Sequence, residues 1–90
     1  MPKIFVPTIM RKHTENKATV EVPGTTVSEV FDNLIASYPM VRDLLRGKDG
    51  GLLRHINVFV NGDDIRGLDG DKTGLTDRDE VHVVPAMAGG

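Results

Sequence analysis

The sequence predicts an α+β fold, a small mixed sheet with one main helix on one face, and three observations predict it. A helix signature, Thr26-Val27-Ser28-Glu29, is followed by apolar residues at helical spacing. Short segments rich in β-formers, alternating between faces, stand on both sides of that helix. An Asn61-Gly62 pair, the strongest short hairpin signal, follows the third of these segments.

Along the chain, residues 3–8 read as the first strand, with Ile4, Val6 and Thr8 on one face and Lys3 and Phe5 on the other. Residues 10–17 are polar and read as a hairpin loop. Residues 18–22 form the second strand, closed by Pro23-Gly24. In the helix, Thr26 can accept from the backbone N–H of Glu29 while the Glu29 side chain reaches back. Val27, Val30, Phe31, Leu34, Ile35 and Tyr38 form one apolar stripe. Pro39 stops the run by disfavouring helical geometry at Tyr38. Residues 40–45 add a short turn, and residues 46–51, with three glycines, a loop. Residues 56–60 are the third strand, residues 63–66 its brief return, residues 67–79 a polar connection and residues 80–86 the last strand. This order allows the first and last strands to lie side by side in the middle of a sheet of four to five strands. That is the β-grasp, or ubiquitin-like, arrangement. Residues 1–86 are expected to form the domain and residues 87–90 a flexible tail ending in Gly89-Gly90.

Bulk properties narrow the function. Ninety residues support one thin core and leave little room for an enclosed active site. Apolar residues at 39% and charged residues at 27% describe a soluble globular chain. The formal net charge is −2 and the cations are scattered along the sequence, so neither nucleic acid nor a membrane surface is expected as a partner. The absence of cysteine excludes disulfides, thiolate metal sites and a cysteine nucleophile, so any sulfur chemistry must use sulfur from elsewhere. The N-terminal residues lack the apolar run of a signal peptide and no stretch reaches transmembrane length. A cytoplasmic monomer is expected.

Four features are candidates for function. The first is the tail. Glycine has no Cβ, so Gly89-Gly90 can enter a narrow slot, and the Gly90 carbonyl carbon is left uncrowded for attack once activated; the bland alternative is a frayed end. The second is Asp69-Gly70-Asp71-Lys72-Thr73-Gly74, ending at Glu80, which matches the oxygen positions of a calcium loop. Its flanks do not read as helices, so a solvated loop without metal is expected. The third is His13, His55 and His82, which lack metal-ligand spacing and read as surface histidines. The fourth is the sheet face turned away from the helix, where Phe5, Phe59 and Val84 are expected in solvent as an apolar partner surface. Val84 leads through Met87 and Ala88 into the tail, which places Met87 beside that surface. No serine lies in a nucleophile motif and no carboxylate pair is placed for acid–base work, so an enzyme in its own right is not expected.

Val58-Phe59-Val60-Asn61-Gly62, Leu75-Thr76-Asp77-Arg78-Asp79-Glu80-Val81 and Pro85-Ala86-Met87-Ala88-Gly89-Gly90 resemble the ubiquitin-like sulfur carriers. That group includes the small subunit of molybdopterin synthase, the thiamine-pathway carrier and the carrier that feeds a cysteine synthase. Pro7-Thr8-Ile9, Arg11, His13-Thr14 and residues 54–61 with Asp64 and Arg66 resemble the cysteine-pathway type most. One departure is Asp77-Arg78-Asp79, where the family usually carries Asp-Gly-Asp; an arginine held in the left-handed conformation there costs about 1 kcal/mol.

The resemblance implies a reaction sequence and its partners. An ATP-dependent activating enzyme places AMP on the Gly90 carboxylate, and a sulfur donor converts the adenylate to a thiocarboxylate. A PLP-dependent cysteine synthase, or another sulfur-acceptor enzyme, then receives the sulfur, and a metalloprotease releases the product. No cofactor is held by the carrier itself; AMP and sulfur are attached transiently at Gly90. The rival readings are a molybdopterin synthase subunit, a protein modifier of the ubiquitin kind, and a β-grasp interaction module with an inert tail.

Overall fold

The computed structural model describes residues 1–85. Five strands form one sheet: β1 (Lys3–Phe5), β2 (Thr19–Glu21), β3 (Ile56–Val60), β4 (Asp63–Asp64) and β5 (Glu80–Pro85). Their order is β2-β1-β5-β3-β4, with β1 and β5 parallel and every other pair antiparallel. The first and last strands therefore lie side by side at the centre, which is the β-grasp topology that the element order predicts. Helix α1 (Val27–Ser37) covers one face, and a single-turn helix, α2 (Arg42–Leu45), comes after it.

The capping box forms with one shift. Thr26 Oγ1 accepts from Glu29 N at 3.1 Å, but the Glu29 carboxylate reaches past Thr26 to Thr25, accepting from its N at 2.9 Å and its hydroxyl at 3.1 Å. The first helical N–H, that of Val27, is satisfied by Thr73 O at 3.1 Å. Val27, Val30, Phe31 and Leu34 are buried against the inner face of the sheet, with Ile35 and Tyr38 packed at its margin. The opposing layer is Ile4, Val20, Val58, Val60, Val81 and Val83, the inward half of each alternating strand. A side chain such as Leu34, with no exposed surface, contributes about 2–5 kcal/mol as judged by truncation to alanine.

Several expectations are revised. β1 ends at Phe5 and residues 8–13 wind into a 3₁₀ turn, Thr8–His13, so Thr8 is exposed instead of continuing the inner face. The same turn carries Met10 into the core at 2% exposure, although the polar stretch around it reads as loop. Glu15 and Asn16, at φ 56° and 62°, then reverse the chain towards β2. The return strand after Asn61-Gly62 is only Asp63–Asp64; Ile65–Gly67 turns away as 3₁₀ and buries Ile65. The hairpin itself has Asn61 at φ 52° and Gly62 at φ 93°, the double left-handed pair that a two-residue loop requires. Arg78 is not among the left-handed residues, so its substitution for glycine carries no such strain.

Candidate functional site

The face of the sheet opposite α1 is assembled by register. Phe5 lies opposite Thr19 on β2 and opposite His82 on β5; His82 lies opposite Phe59, and Phe59 opposite Asp64. One row thus crosses all five strands as Thr19, Phe5, His82, Phe59 and Asp64. One step towards the end of β5, Asn57 stands opposite Val84, which is 46% exposed.

The expected apolar surface is therefore differently built. Val84 is in solvent, but Phe5 and Phe59 are each half-buried, because His82 fills the space between them. The His82 ring stacks on Phe5 with centroids 4.1 Å apart and planes 6° from parallel. His82, expected from the sequence as a surface histidine without further role, is half-buried here as part of the face. Its alternation with Val81 and Val83 shows its face, but only the pairing of three strands shows its neighbours.

One edge of this face carries an ordered ion pair. Arg66 donates from Nε to Asp64 Oδ1 at 3.2 Å and from Nη2 to Asp64 Oδ2 at 2.9 Å, and also to the Asn57 side chain. The guanidinium and the Arg66 backbone N–H hold the Asp64 carboxyl below the usual carboxylate range. The effect is a planar guanidinium held across β4 and β3, one strand away from β5. At the start of β5, Asn61 accepts from Glu80 N at 2.9 Å and donates to Asp79 Oδ1 at 2.9 Å, locking the hairpin onto the last strand.

The remaining candidates occupy other places. His55 is exposed beside β3 and His13 half-buried in the Thr8–His13 turn. The loop of residues 69–80 is flanked by the 3₁₀ turn Ile65–Gly67 and by β5, not by helices. Its Asp79 is engaged by Thr76 N at 2.8 Å, and among the described residues no three of His, Asp or Glu converge. A cleft of about 420 Å³ lies at the β3–β4 edge of the sheet, lined by Leu52, Leu53, Ile56 and Ile65 with Arg54, Asp71 and the Asp64–Arg66 pair. Met87, Ala88, Gly89 and Gly90 lie outside the described residues. Their point of departure is described: β5 ends at Pro85, opposite Ile56 and one residue past Val84.

A five-stranded β-grasp with its first and last strands paired at the centre is the fold of the ubiquitin-like carriers and modifiers. Residues 4–90 match the ThiS family, and the chain belongs to that family of ubiquitin-like sulfur carriers. It is 36% identical over 89 residues to the sulfur carrier protein CysO of Mycobacterium tuberculosis, covering 97% of this chain and 96% of the relative. It is 43% identical over 68 residues to small archaeal modifier protein 3 of Haloferax volcanii, covering 72% and 70%. Among solved structures it superposes on a chain of the Amycolatopsis orientalis BexX/CysO complex with a TM-score of 0.92 at 34% identity, covering all of both chains. Among the described residues no helix is long and apolar enough to cross a membrane.

Proposed function

We propose that this chain carries sulfur as a thiocarboxylate on Gly90, for cysteine biosynthesis. The family match supports the reading most directly, because it runs through the terminal Gly89-Gly90. The Gly90 carboxylate attacks the α-phosphorus of ATP and expels pyrophosphate, giving an acyl adenylate. Hydrosulfide, supplied by the sulfur donor, then attacks the acyl carbon and expels AMP, leaving the thiocarboxylate. An ionised sulfur is the stronger nucleophile for the onward transfer, as thiolates generally are. The activating enzyme, and a PLP-dependent synthase holding an electrophilic acceptor, each take the tail; a metalloprotease frees the product. The strip of Phe5, His82, Phe59 and Val84 is the surface on which these enzymes grip the domain.

The two-glycine end is the substrate in this reading, and the domain supplies recognition. The test is ATP–pyrophosphate exchange with the cognate activating enzyme, run beside a melting curve. Deleting Gly90, or extending the chain beyond it, is expected to abolish exchange and leave melting within about 2 °C, since the named core lies within residues 1–85. Exchange by an untrimmed extended chain overturns the proposal.

A second reading is favoured by the similarity to small archaeal modifier protein 3. In it the activated Gly90 is joined to lysine amines of other proteins. Mass spectrometry separates the two: a gain of about 16 Da on the intact chain marks exchange of oxygen for sulfur, whereas lysines of other proteins that carry residues 79–90 after tryptic cleavage at Arg78 mark conjugation.

A further inference from the structure

We infer that the end of the domain from which the tail departs is a basic collar, and that it docks against a carboxylate-lined entrance on the activating enzyme. This rests on the proposed role of the Gly90 tail and adds the chemistry of the partner's surface.

The sequence scatters its cations, but the strand directions gather them. β1 runs parallel to β5, so the segment after β1 stands beside the end of β5. That segment holds the Thr8–His13 turn with Arg11 and Lys12, and the loop that returns through Lys17. Arg11 is fixed there by donation from Nε to Val6 O at 3.1 Å, and Lys17 Nζ donates to the Tyr38 hydroxyl at 3.3 Å. β3 runs antiparallel to β5, so the segment before β3 stands at the same end. Ile56 is opposite Pro85, and exposed Arg54 lies two residues before it. Arg66 arrives from a third direction and reaches Asn57, the residue opposite Val84.

The carboxylates at this end are largely engaged. Glu15 is 3.8 Å from Lys17 and Asp64 is held by Arg66, while Arg11, Lys12 and Arg54 have no ion-pair partner among the described residues. The opposite end, where β5 begins, carries Glu21, Asp63, Asp77, Asp79 and Glu80 against Lys3, Arg78 and the Met1 amino group. A chain of net charge −2 is thus polarised along its strands, with its positive end towards the tail.

That polarity suits delivery of a tail. Opposite charge raises the rate of productive encounter and orients the incoming domain, with a reach of about 8 Å at physiological salt. The cations ring an apolar strip, Val84 with Phe59 and Phe5, in the pattern of a protein interface with an apolar centre and a charged rim. A nucleic-acid strand fits this layout less well, because it calls for a continuous cationic groove.

Association with the activating enzyme, followed by stopped-flow fluorescence at about 0.02 M and about 0.3 M salt, tests the inference. The variants are Lys12→Glu with Arg54→Glu, and Lys3→Glu with Arg78→Glu, which change net charge equally at opposite ends. Wild-type association is expected to slow with salt. The collar pair should associate about tenfold more slowly at low salt with dissociation nearly unchanged, and the opposite pair should stay within about twofold of wild type. Equal slowing by both pairs, or a salt-independent wild type, overturns the collar. So does a collar pair that loses binding to a mixed-sequence RNA oligonucleotide while its association with the enzyme is unchanged. Pyrophosphate exchange at saturating carrier is read alongside and reports on the tail alone: exchange that persists while the rates fail to separate sinks the collar and leaves the tail reading standing.

Discussion

Asp79 closes a turn with both of its oxygens, one accepting from Thr76 N at 2.8 Å and the other from Asn61 Nδ2 at 2.9 Å. The Thr76 N–H, and after it the Asn61 amide, favour the charged form and hold its carboxyl below the usual carboxylate range. A depressed folded pKa contributes stability above the unfolded value of about 4, and that contribution disappears as pH falls through the folded value. Asp79→Asn should therefore be less stable than wild type at about pH 6, with the gap narrowing towards about pH 3, as read by urea denaturation. A gap that stays constant over that range would mean that the carboxylate charge is not its source. Phe59 makes a second point at this scale. A fully exposed phenylalanine can be truncated for about 0.5 kcal/mol or less and a core one costs about 3–5. Phe59 is half-buried beside His82, so Phe59→Ala should cost about 1–2 kcal/mol and lower Tm by roughly 5–15 °C, while weakening capture by the activating enzyme. A variant that melts like wild type, yet binds the enzyme normally, removes Phe59 from the proposed surface.

At the scale of elements, the features legible in the sequence are those set locally. The Thr26 cap, the stripe from Val27 to Leu34 and the left-handed Asn61-Gly62 pair each depend on neighbours within a turn or two, and each appears where its spacing predicts. Thr26→Ala removes one acceptor from the exposed end of α1 and should cost about 1 kcal/mol, a Tm loss of roughly 4–8 °C. A shift near zero would show that Thr73 O and the Glu29 carboxylate already hold the first turn. Met10 was not legible, because its burial results from a 3₁₀ turn that carries it into the core without the periodicity of a strand or an amphipathic helix. The half-burial of Phe5 and Phe59 was hidden for a related reason. Alternation along one strand gives the face of His82, but its stacking on Phe5 requires the registers of β1, β5 and β3 together. The brevity of β4 was equally hidden, since Ile65 leaves the sheet to bury itself and nothing in the alternation of residues 63–66 reveals that choice.

For the molecule as a whole, strand direction does more than the order of elements suggests. It separates charges that the sequence mixes, and it brings Pro85 opposite Ile56 at the end of the last strand. The same central pairing has a mechanical side. Lys3, Ile4 and Phe5 run in the same direction as their partners Glu80, Val81 and His82, yet the chain enters at one end of this pair and leaves at the other. Tension between the N-terminal end and the tail drags the two strands past each other lengthwise. The hydrogen bonds between them are then loaded together in shear, not opened one at a time as in an unzipping hairpin. Force applied between the N-terminal end and the last strand therefore acts against the strongest direction of the sheet, and along that line the domain is a stiff link.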